Sequence, residues 1–205
     1  MDLFANEHDS PHNLLPFDGT VHYFHTAIAR DTADASFENL LHNIAWQHDE
    51  ARIFGKHIVT RRKVAWYGDA PFHYTYSRVT KQALPWTDTL VTLKNLAEEV
   101  TGERFNSCLL NLYHDGSEGM GWHSDGERDL RKHGAIASVS LGAERKFAFR
   151  HKQSKHTTSL TLAHGSLLVM RDQTQTHWLH RLPPTKKIAT PRINLTFRTI
   201  VNQVI

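Results

Sequence analysis

The sequence predicts an α+β protein whose C-terminal half is a jelly roll. Two helix signals lie in the first half, and the half after Gly102 contains short apolar runs separated by glycines and charged turns. Two helices followed by many short strands are typical of an α+β chain. A length of 205 residues fits one domain, and a hydrophobic content of 40% is enough for a sizeable core.

The N-terminal segment differs in composition from the rest of the chain. Residues 1–20 are polar and rich in turn-forming residues, so we predict an arm over 1–20 and a single domain over 21–205. The first residues do not combine a basic segment with an apolar one, so we expect no signal peptide and no secretion. No stretch of about 18 apolar residues occurs, so we expect no membrane partner.

Each helix is predicted by an apolar stripe at helical spacing. The first is expected over residues 34–47 and the second over residues 87–101, where Thr87 or Asp88 is the candidate N-cap and Gly102 ends the helix. The stripe of the first helix consists of Phe37, Leu40, Leu41 and Ile44. The stripe of the second consists of Leu90, Leu93, Ala97 and Val100. Both stripes indicate core packing.

The predicted strands are short runs of β-forming residues between turn residues. They cover residues 106–113, 136–141, 146–150, 158–162, 166–170 and 193–200. Cys108, the single cysteine, lies in the first of these runs. It excludes an internal disulfide framework and is predicted to be a buried small hydrophobe. Low cysteine use suits a reducing compartment, which would be the cytoplasm of a bacterium or the nucleus of a eukaryote.

A candidate metal site begins with His123 and Asp125. On an extended chain, residues two apart point to the same side, so the imidazole and the carboxylate can bind one ion. His177 and His180 lie in a second cluster and are both candidates for a third ligand. Two histidines and one carboxylate on one face of an ion leave open positions, a geometry that suits non-haem Fe(II).

A third feature is a strand with two arginines. The even spacing of Arg192, Asn194 and Arg198 turns them toward one face. Two guanidiniums inside a barrel are costly unless they meet anions, and a dicarboxylic acid supplies two carboxylates. The alternative is a solvated edge strand. Asn111 and Tyr113, also two apart, could contact the same acid, although such residues are often ordinary strand residues.

Taken together, these motifs resemble those of the AlkB family of nucleic-acid dealkylases, in the family's order and over about residues 50 to 200. The matching segments are Asn111–Gly116, Trp122–Asp125, Ile136–Ala143, His164–Met170, Thr176–His180 and Pro191–Arg198. The resemblance implies a double-stranded β-helix, a jelly roll, with N-terminal helices and a nucleotide-recognition lid at about residues 50–80. It implies an Fe(II)- and 2-oxoglutarate-dependent dioxygenase that uses O2 to remove N-alkyl groups from DNA, releasing succinate, CO2 and formaldehyde.

The resemblance also implies roles for individual residues. Fe(II) is expected on His123, Asp125 and His180, because the family's spacing to the Pro-Arg pair selects His180 rather than His177. The 2-oxoglutarate is expected on Asn111, Tyr113, Arg192, Asn194 and Arg198. These two sets of residues are the expected catalytic and cofactor-binding site.

The substrate residues are expected in and beside the lid. Tyr67–Ser77 resembles the lid and offers Tyr74, Tyr76 and Ser77, with Tyr76 as the candidate to stack on a flipped base. A half-buried aromatic strand is the alternative. Phe54, in the segment 52–56, resembles the wedge of the branch that acts on double-stranded DNA.

One position departs from the family pattern. Gly126 follows Asp125 where the family usually has a second acidic residue, and only Glu127 remains as a candidate contact to the base. The departure leaves three lesions open: N1-methyladenine, N3-methylcytosine and etheno adducts.

The expected partner is alkylated DNA, with the double-stranded form favoured over the single-stranded one, and the protein is expected to be a monomer. The net charge of +3 is compatible with a polyanion without requiring one. Two alternatives remain: an RNA or tRNA demethylase or hydroxylase on the same scaffold, and a non-catalytic nucleic-acid-binding jelly roll.

Overall fold

The computed structural model describes residues 12–53, 56–76 and 79–201. The helices are α1 (Arg30–Asn43), α2 (Asp88–Thr101) and α3 (Thr174–His177). The first strands are β1 (Thr20–Phe24), β2 (Gln47–Ile53), β3 (Lys56–Gly68), β4 (His73–Tyr76), β5 (Val79–Gln82), β6 (Ser107–Tyr113) and β7 (Met120–His123). They are followed by β8 (Ile136–Gly142), β9 (Arg145–His151), β10 (Thr157–Leu162), β11 (Ser166–Arg171), β12 (Trp178–Leu182) and β13 (Arg192–Arg198).

The strands of the described residues form a large and a small antiparallel sheet and one separate hairpin. The large sheet has the order β1-β11-β8-β13-β6-β3-β2, and the small sheet has the order β10-β9-β12-β7. The hairpin pairs β4 with β5. Two antiparallel sheets in a mainly β chain with few helices confirm the predicted jelly roll.

The large sheet is covered on both faces. Along β11, Leu167 and Val169 belong to the core cluster that contains the buried residues of α1 and α2. The alternate residues Leu168 and Met170 belong to a second cluster, with Trp178 of the small sheet. Successive side chains of a strand point to opposite faces, so the helices cover one face and the small sheet the other.

The second helix was predicted correctly. The hydroxyl of Thr87 accepts a hydrogen bond from the backbone N–H of Leu90, and Gly102 ends the helix with a φ of 69°. A threonine at the N-cap and a left-handed glycine after the last turn are frequent helix boundaries.

The bounds of the first helix were predicted wrongly. The helix starts at Arg30, four residues earlier than expected, and Ile44 after its end has an extended conformation. Ala33 and Ser36 are buried on its first turns, but their small side chains add little to a hydrophobic pattern. The stripe itself is correct, because Leu40 and Ile44 are buried and Phe37 and Leu41 pack against the same cluster.

The segment predicted as an arm contributes Leu15 to the core. Leu15 is 3% exposed and packs with Val21 of β1 in the cluster that contains Trp178. The indole Nε1 of Trp178 donates to the carbonyl of Phe17. These contacts attach residues 15–21 to the small sheet. No helix in the described part of the chain is long and apolar enough to cross a membrane.

Candidate active site

Strand pairing brings the candidate metal ligands together. His123 ends β7 and lies directly opposite His180 on β12, and Asp125 follows two residues after β7. One carboxylate oxygen of Asp125 lies 3.7 Å from Nε2 of His123 and 3.9 Å from Nε2 of His180. One ligand atom from each side chain lies within 4.8 Å of the other two, a separation that a single ion can bridge. The expected triad is therefore assembled.

The protonation of the two histidines suits metal binding. Nδ1 of His123 lies 2.8 Å from the carbonyl of Gly121, which can only accept a hydrogen bond, so Nδ1 carries the proton and Nε2 keeps its lone pair. His180 is 4% exposed, with Phe147 stacked on its ring. Burial lowers the pKa of His180 to about 4, although Asp125 opposes this shift. The imidazole is thus neutral and able to bind a cation.

His177 belongs to a different cluster, with Asp18 and His151. The backbone N–H of Ser154 donates to Nδ1 of His151, so the proton of the neutral ring is on Nε2. That nitrogen is 3.4 Å from the carboxylate of Asp18. A protonated nitrogen facing a carboxylate forms an Asp–His pair and offers no lone pair to a metal.

The arginine strand lies in the middle of the large sheet. β13 pairs with β6 on one side and with β8 on the other, which excludes a solvated edge strand. Arg192 is 2% and Arg198 8% exposed, both on the face of β13 opposite the helices. Tyr113 lies directly opposite Arg192, and Asn111 opposite Asn194. All five expected cosubstrate residues thus occupy two adjacent strands.

The polar atoms of these residues show where a ligand could bind. The Nε atoms of Arg192 and Arg198 and the Oδ1 atom of Asn111 are buried and have no hydrogen-bond partner among the described residues. Burial lowers the pKa of Arg192 to about 10, with a smaller contribution from the charge of Arg145 and an opposing one from Tyr113. Buried donors without partners are unfavourable, and the carboxylates of 2-oxoglutarate would accept hydrogen bonds from the two Nε–H groups, whereas Oδ1 of Asn111 is an acceptor that they would not satisfy. The residues therefore fit this cosubstrate.

Asn194 differs from its neighbours. Its amide nitrogen donates to the hydroxyl of Ser138 and to the carbonyl of Val139. Its amide oxygen accepts from the hydroxyl of Thr196. Both amide hydrogens are therefore used within the sheet, and the role of Asn194 toward a cosubstrate stays a prediction.

A cavity of about 520 Å³ opens beside the cosubstrate residues, with Asn111 and Arg198 in its wall. Glu127 lines it as well and accepts a hydrogen bond of 3.0 Å from Arg198. Gly126 is exposed, and a Cβ atom there would meet nothing within 4 Å. The missing acidic residue is therefore not excluded by crowding, and Glu127 and Asp129 are acids that line the cavity just after the metal loop.

Sequence reasoning did not predict one ion pair in the wall of the cavity. There the guanidinium of Arg62, 8% exposed, is paired with the carboxylate of Asp49 and donates to the sulfur of Met120. Asp49 and Arg62 lie on β2 and β3, which are joined with a register shift between His48 and Glu50. No motif marks Asp49, because only the pairing of these two strands brings it to the cavity.

Part of the expected lid lies outside the described residues, including Phe54 and Ser77. The backbones of Tyr74 and Tyr76 lie on β4, whose pairing with β5 places Tyr74 opposite Lys81 and Tyr76 opposite Val79.

Comparisons with known proteins agree with the geometry. Residues 20–198 match the family described as the 2OG-Fe(II) oxygenase superfamily. The chain is 46% identical over 160 residues to the mouse DNA oxidative demethylase ALKBH2, and the match covers 74% of this chain and 67% of the relative. It is 40% identical over 178 residues to the bovine alpha-ketoglutarate-dependent dioxygenase alkB homolog 3, covering 82% of this chain and 62% of the relative.

The fold has a solved counterpart. The structure of OsALKBH1 superposes on this chain with a TM-score of 0.61 and a sequence identity of 14%. The superposition covers 87% of this chain and 97% of the solved chain. At that identity the likeness concerns the fold alone. The triad, the arginine strand, the matched superfamily and the two AlkB relatives lead to one conclusion: the chain belongs to the AlkB family of Fe(II)- and 2-oxoglutarate-dependent dioxygenases.

Proposed function

We propose that this protein is a DNA-repair dioxygenase that oxidatively removes N-alkyl groups from DNA. The observation that carries the proposal is the combination of the metal triad, two buried arginines whose Nε atoms have no partner among the described residues, and a cavity of about 520 Å³ beside them. Relatives named as a DNA oxidative demethylase share 46% identity with the chain over most of its length, which supports DNA as the substrate.

In this proposal His123, Asp125 and His180 hold Fe(II). When bound, the iron activates O2 for the oxidation of the alkyl group, while 2-oxoglutarate supplies two electrons and leaves as succinate and CO2. The protein contributes positions: Gly121 orients His123, and the amide of Gln175 orients the metal loop by accepting from the backbone N–H of Asp125. Phe147 shields His180 from water.

The two arginines are assigned to different ends of 2-oxoglutarate. Arg198 contacts Glu127, two residues beyond the metal ligand Asp125, so Arg198 lies at the metal end of the strand. Arg192 lies at the other end, buried between Tyr113 and Ser140. We therefore assign Arg192 to the carboxylate that is far from the metal.

The cavity is proposed to receive a base that has left its duplex. Tyr76 and Tyr74 of the lid would stack on the base, Ser77 would contact it, and Phe54 would fill the gap in the duplex. Glu127 and Asp129 in the cavity wall are acidic, which favours a base that alkylation has made cationic, such as N1-methyladenine or N3-methylcytosine.

Duplex DNA is the proposed form of the substrate, and RNA is the second candidate, because a cavity that receives a single base can take it from either nucleic acid. The experiment is a panel of methylated oligonucleotides, double-stranded DNA, single-stranded DNA and RNA, scored for formaldehyde and for repaired base. We expect the fastest repair on duplex DNA and a selective loss on duplex DNA in Phe54→Ala. A preference for RNA that is insensitive to Phe54→Ala would overturn the choice of DNA.

A non-catalytic nucleic-acid-binding role is the third candidate. Release of succinate that requires iron and is lost in His180→Ala would exclude it. We further propose one catalytic domain over residues 21–205, with residues 15–20 packed against its small sheet, that acts as a monomer. Its place of action would be that of its substrate, the nucleus of a eukaryotic cell or the cytoplasm of a bacterium.

A further inference from the structure

A further buried arginine lies beside the cosubstrate site without a role in the proposed function. Arg145, the first residue of β9, is 1% exposed. One terminal nitrogen of its guanidinium donates to the carbonyl of Asp115, at 3.2 Å. The other donates to the carbonyls of Gly116, Glu118 and Pro183, at 3.1, 2.7 and 3.0 Å. One side chain therefore organises two loops by four hydrogen bonds.

The two loops are the ones that connect the cosubstrate strands to the metal strands. The loop over 114–119 leads from Tyr113 on β6 to β7, which ends at His123. The loop over 183–191 leads from β12, which carries His180, to Arg192 on β13. A change at Arg145 would therefore reach both sets of ligands through their connecting loops.

The loops also contact each other directly. The backbone N–H of Thr185 donates to the carbonyl of Gly116, and the N–H of Gly116 donates to the carbonyl of Ile188, at 2.7 and 2.8 Å. A Cβ atom at Gly116 would collide with the carbonyl oxygen of Thr185. This close approach brings the carbonyls of Gly116 and Pro183 within reach of one guanidinium.

Arg145 also contributes charge near the site. The aromatic ring of Tyr113 has the guanidinium carbon of Arg145 at 6.0 Å and that of Arg192 at 5.6 Å from its centre. Within the described residues, neither guanidinium forms an ion pair with a carboxylate. The nearby carboxylates of Asp115 and Glu118 accept hydrogen bonds from Ser117 and His114, and they form ion pairs of 3.5 and 3.6 Å with the guanidinium of Arg61.

Two buried cations of this kind repel each other, so an anion between or beside them is stabilised more than by one alone. Carbonyl oxygens disperse part of the charge of Arg145 without cancelling it, because a carbonyl is a dipole and not an anion, and the carboxylates of Asp115 and Glu118 act on Arg145 from a distance without forming an ion pair with it. A lysine could keep the charge but, with three donors on one nitrogen, could not reproduce the planar contacts to four carbonyls.

We propose that Arg145 is a positioning residue for 2-oxoglutarate: it holds Tyr113 and Arg192 in place through the two loops and adds a second positive charge for the carboxylate far from the metal. The inference rests on the proposed use of 2-oxoglutarate. Changing Arg145 should therefore affect the binding of ligands that have this distal carboxylate more than the binding of ligands that lack it. Changing a purely structural residue would affect both kinds of ligand equally.

The experiment measures ligand binding without turnover. Mn(II) replaces iron, and the affinities of N-oxalylglycine, which has both carboxylates, and of oxalate, which has no distal carboxylate, are determined by calorimetry. The variants are Arg145→Gln and Arg145→Lys. Arg30→Gln is the matched control, because the side chain of Arg30 is 79% exposed. Thermal unfolding of each metal-free variant reports folding separately.

We expect Arg145→Gln to weaken the binding of N-oxalylglycine about tenfold, which is the lower end of the effect of losing a residue that supports a ligand-binding residue. The affinities for oxalate and for Mn(II) should change less than twofold. Arg145→Lys should show the same selectivity with a smaller loss, and it tests the proposal even if Arg145→Gln fails to fold. An equal loss of both ligands, or unchanged binding of N-oxalylglycine, would overturn the proposal. Failure of the unmodified protein to bind N-oxalylglycine would instead overturn the use of 2-oxoglutarate.

Discussion

Replacing His180 by alanine should abolish metal-dependent stabilisation, whereas replacing His177 should not. His180 is 4% exposed and has its Nε2 atom 3.9 Å from the carboxylate of Asp125. His177 is partly exposed and has its Nε2 atom 2.8 Å from the amide oxygen of Gln173. Only the first change removes a side chain that converges on His123 and Asp125.

The size of the effect follows from linkage. A ligand at 100 times its dissociation constant stabilises the folded state by about 2.7 kcal/mol. For a domain of this size that corresponds to a rise in Tm of about 5 to 11 °C. Loss of one of three ligands should weaken binding by about 100-fold or more. At the same concentration the stabilisation then falls to about 0.4 kcal/mol, a shift of about 1 °C.

The assay is thermal unfolding with and without Mn(II), where each variant is compared with its own metal-free form. This comparison removes the cost of the cavity that His180→Ala leaves beside Phe147. We expect a full shift in His177→Ala and almost none in His180→Ala, together with loss of succinate production in the second only. A full Mn(II) shift in His180→Ala, or its loss in His177→Ala, would refute the assignment of the third ligand.

Four further predictions concern stability and reactivity. Thr87→Ala should lower the free energy of unfolding by about 1 kcal/mol because the N-cap acceptor for Leu90 is lost; a change below about 0.3 kcal/mol in urea unfolding would contradict this role. Phe197→Ala, at a fully buried position, should lower the free energy of unfolding in urea by about 3 to 5 kcal/mol. A decrease below about 1 kcal/mol would show that the core collapses around the smaller side chain. Burial raises the pKa of the Cys108 thiol well above its usual range, so we expect no reaction with a thiol reagent until the protein unfolds, and rapid labelling of the native protein would disprove it. Burial lowers the pKa of His180 below its ordinary value of 6.5, to about 4. Between these two pH values the unfolded chain binds more protons than the folded one, so the metal-free protein should lose stability as the pH falls from about 6.5 to about 4. His180→Gln should reduce this loss, and a pH profile of stability that is unchanged in this variant would contradict the prediction.

The predictions that the structure confirms most directly are those based on short spacings in the sequence. The N-cap at Thr87, the end of the second helix at Gly102 and the shared face of Arg192 and Arg198 each depend on residues only a few positions apart. The first helix was misplaced for a related reason, because the small side chains of its first turns carry little hydrophobic signal. Strand β3, which supplies Arg62 to the cavity, was missed because its basic run does not alternate as a half-buried strand does.

The sequence by itself determined the kinds of chemical groups and their local direction: an H-x-D pair on an extended segment, arginines on one face of a strand, and a helix bounded by threonine and glycine. Only the tertiary structure decided which distant groups meet. It placed His180 opposite His123 and His177 beside an Asp–His pair, buried the arginines of a strand in the middle of the large sheet, and joined two loops around Arg145. The physical reason is that the direction of a side chain follows from backbone periodicity within a few residues, whereas its partners follow from the pairing of strands that are far apart in the chain.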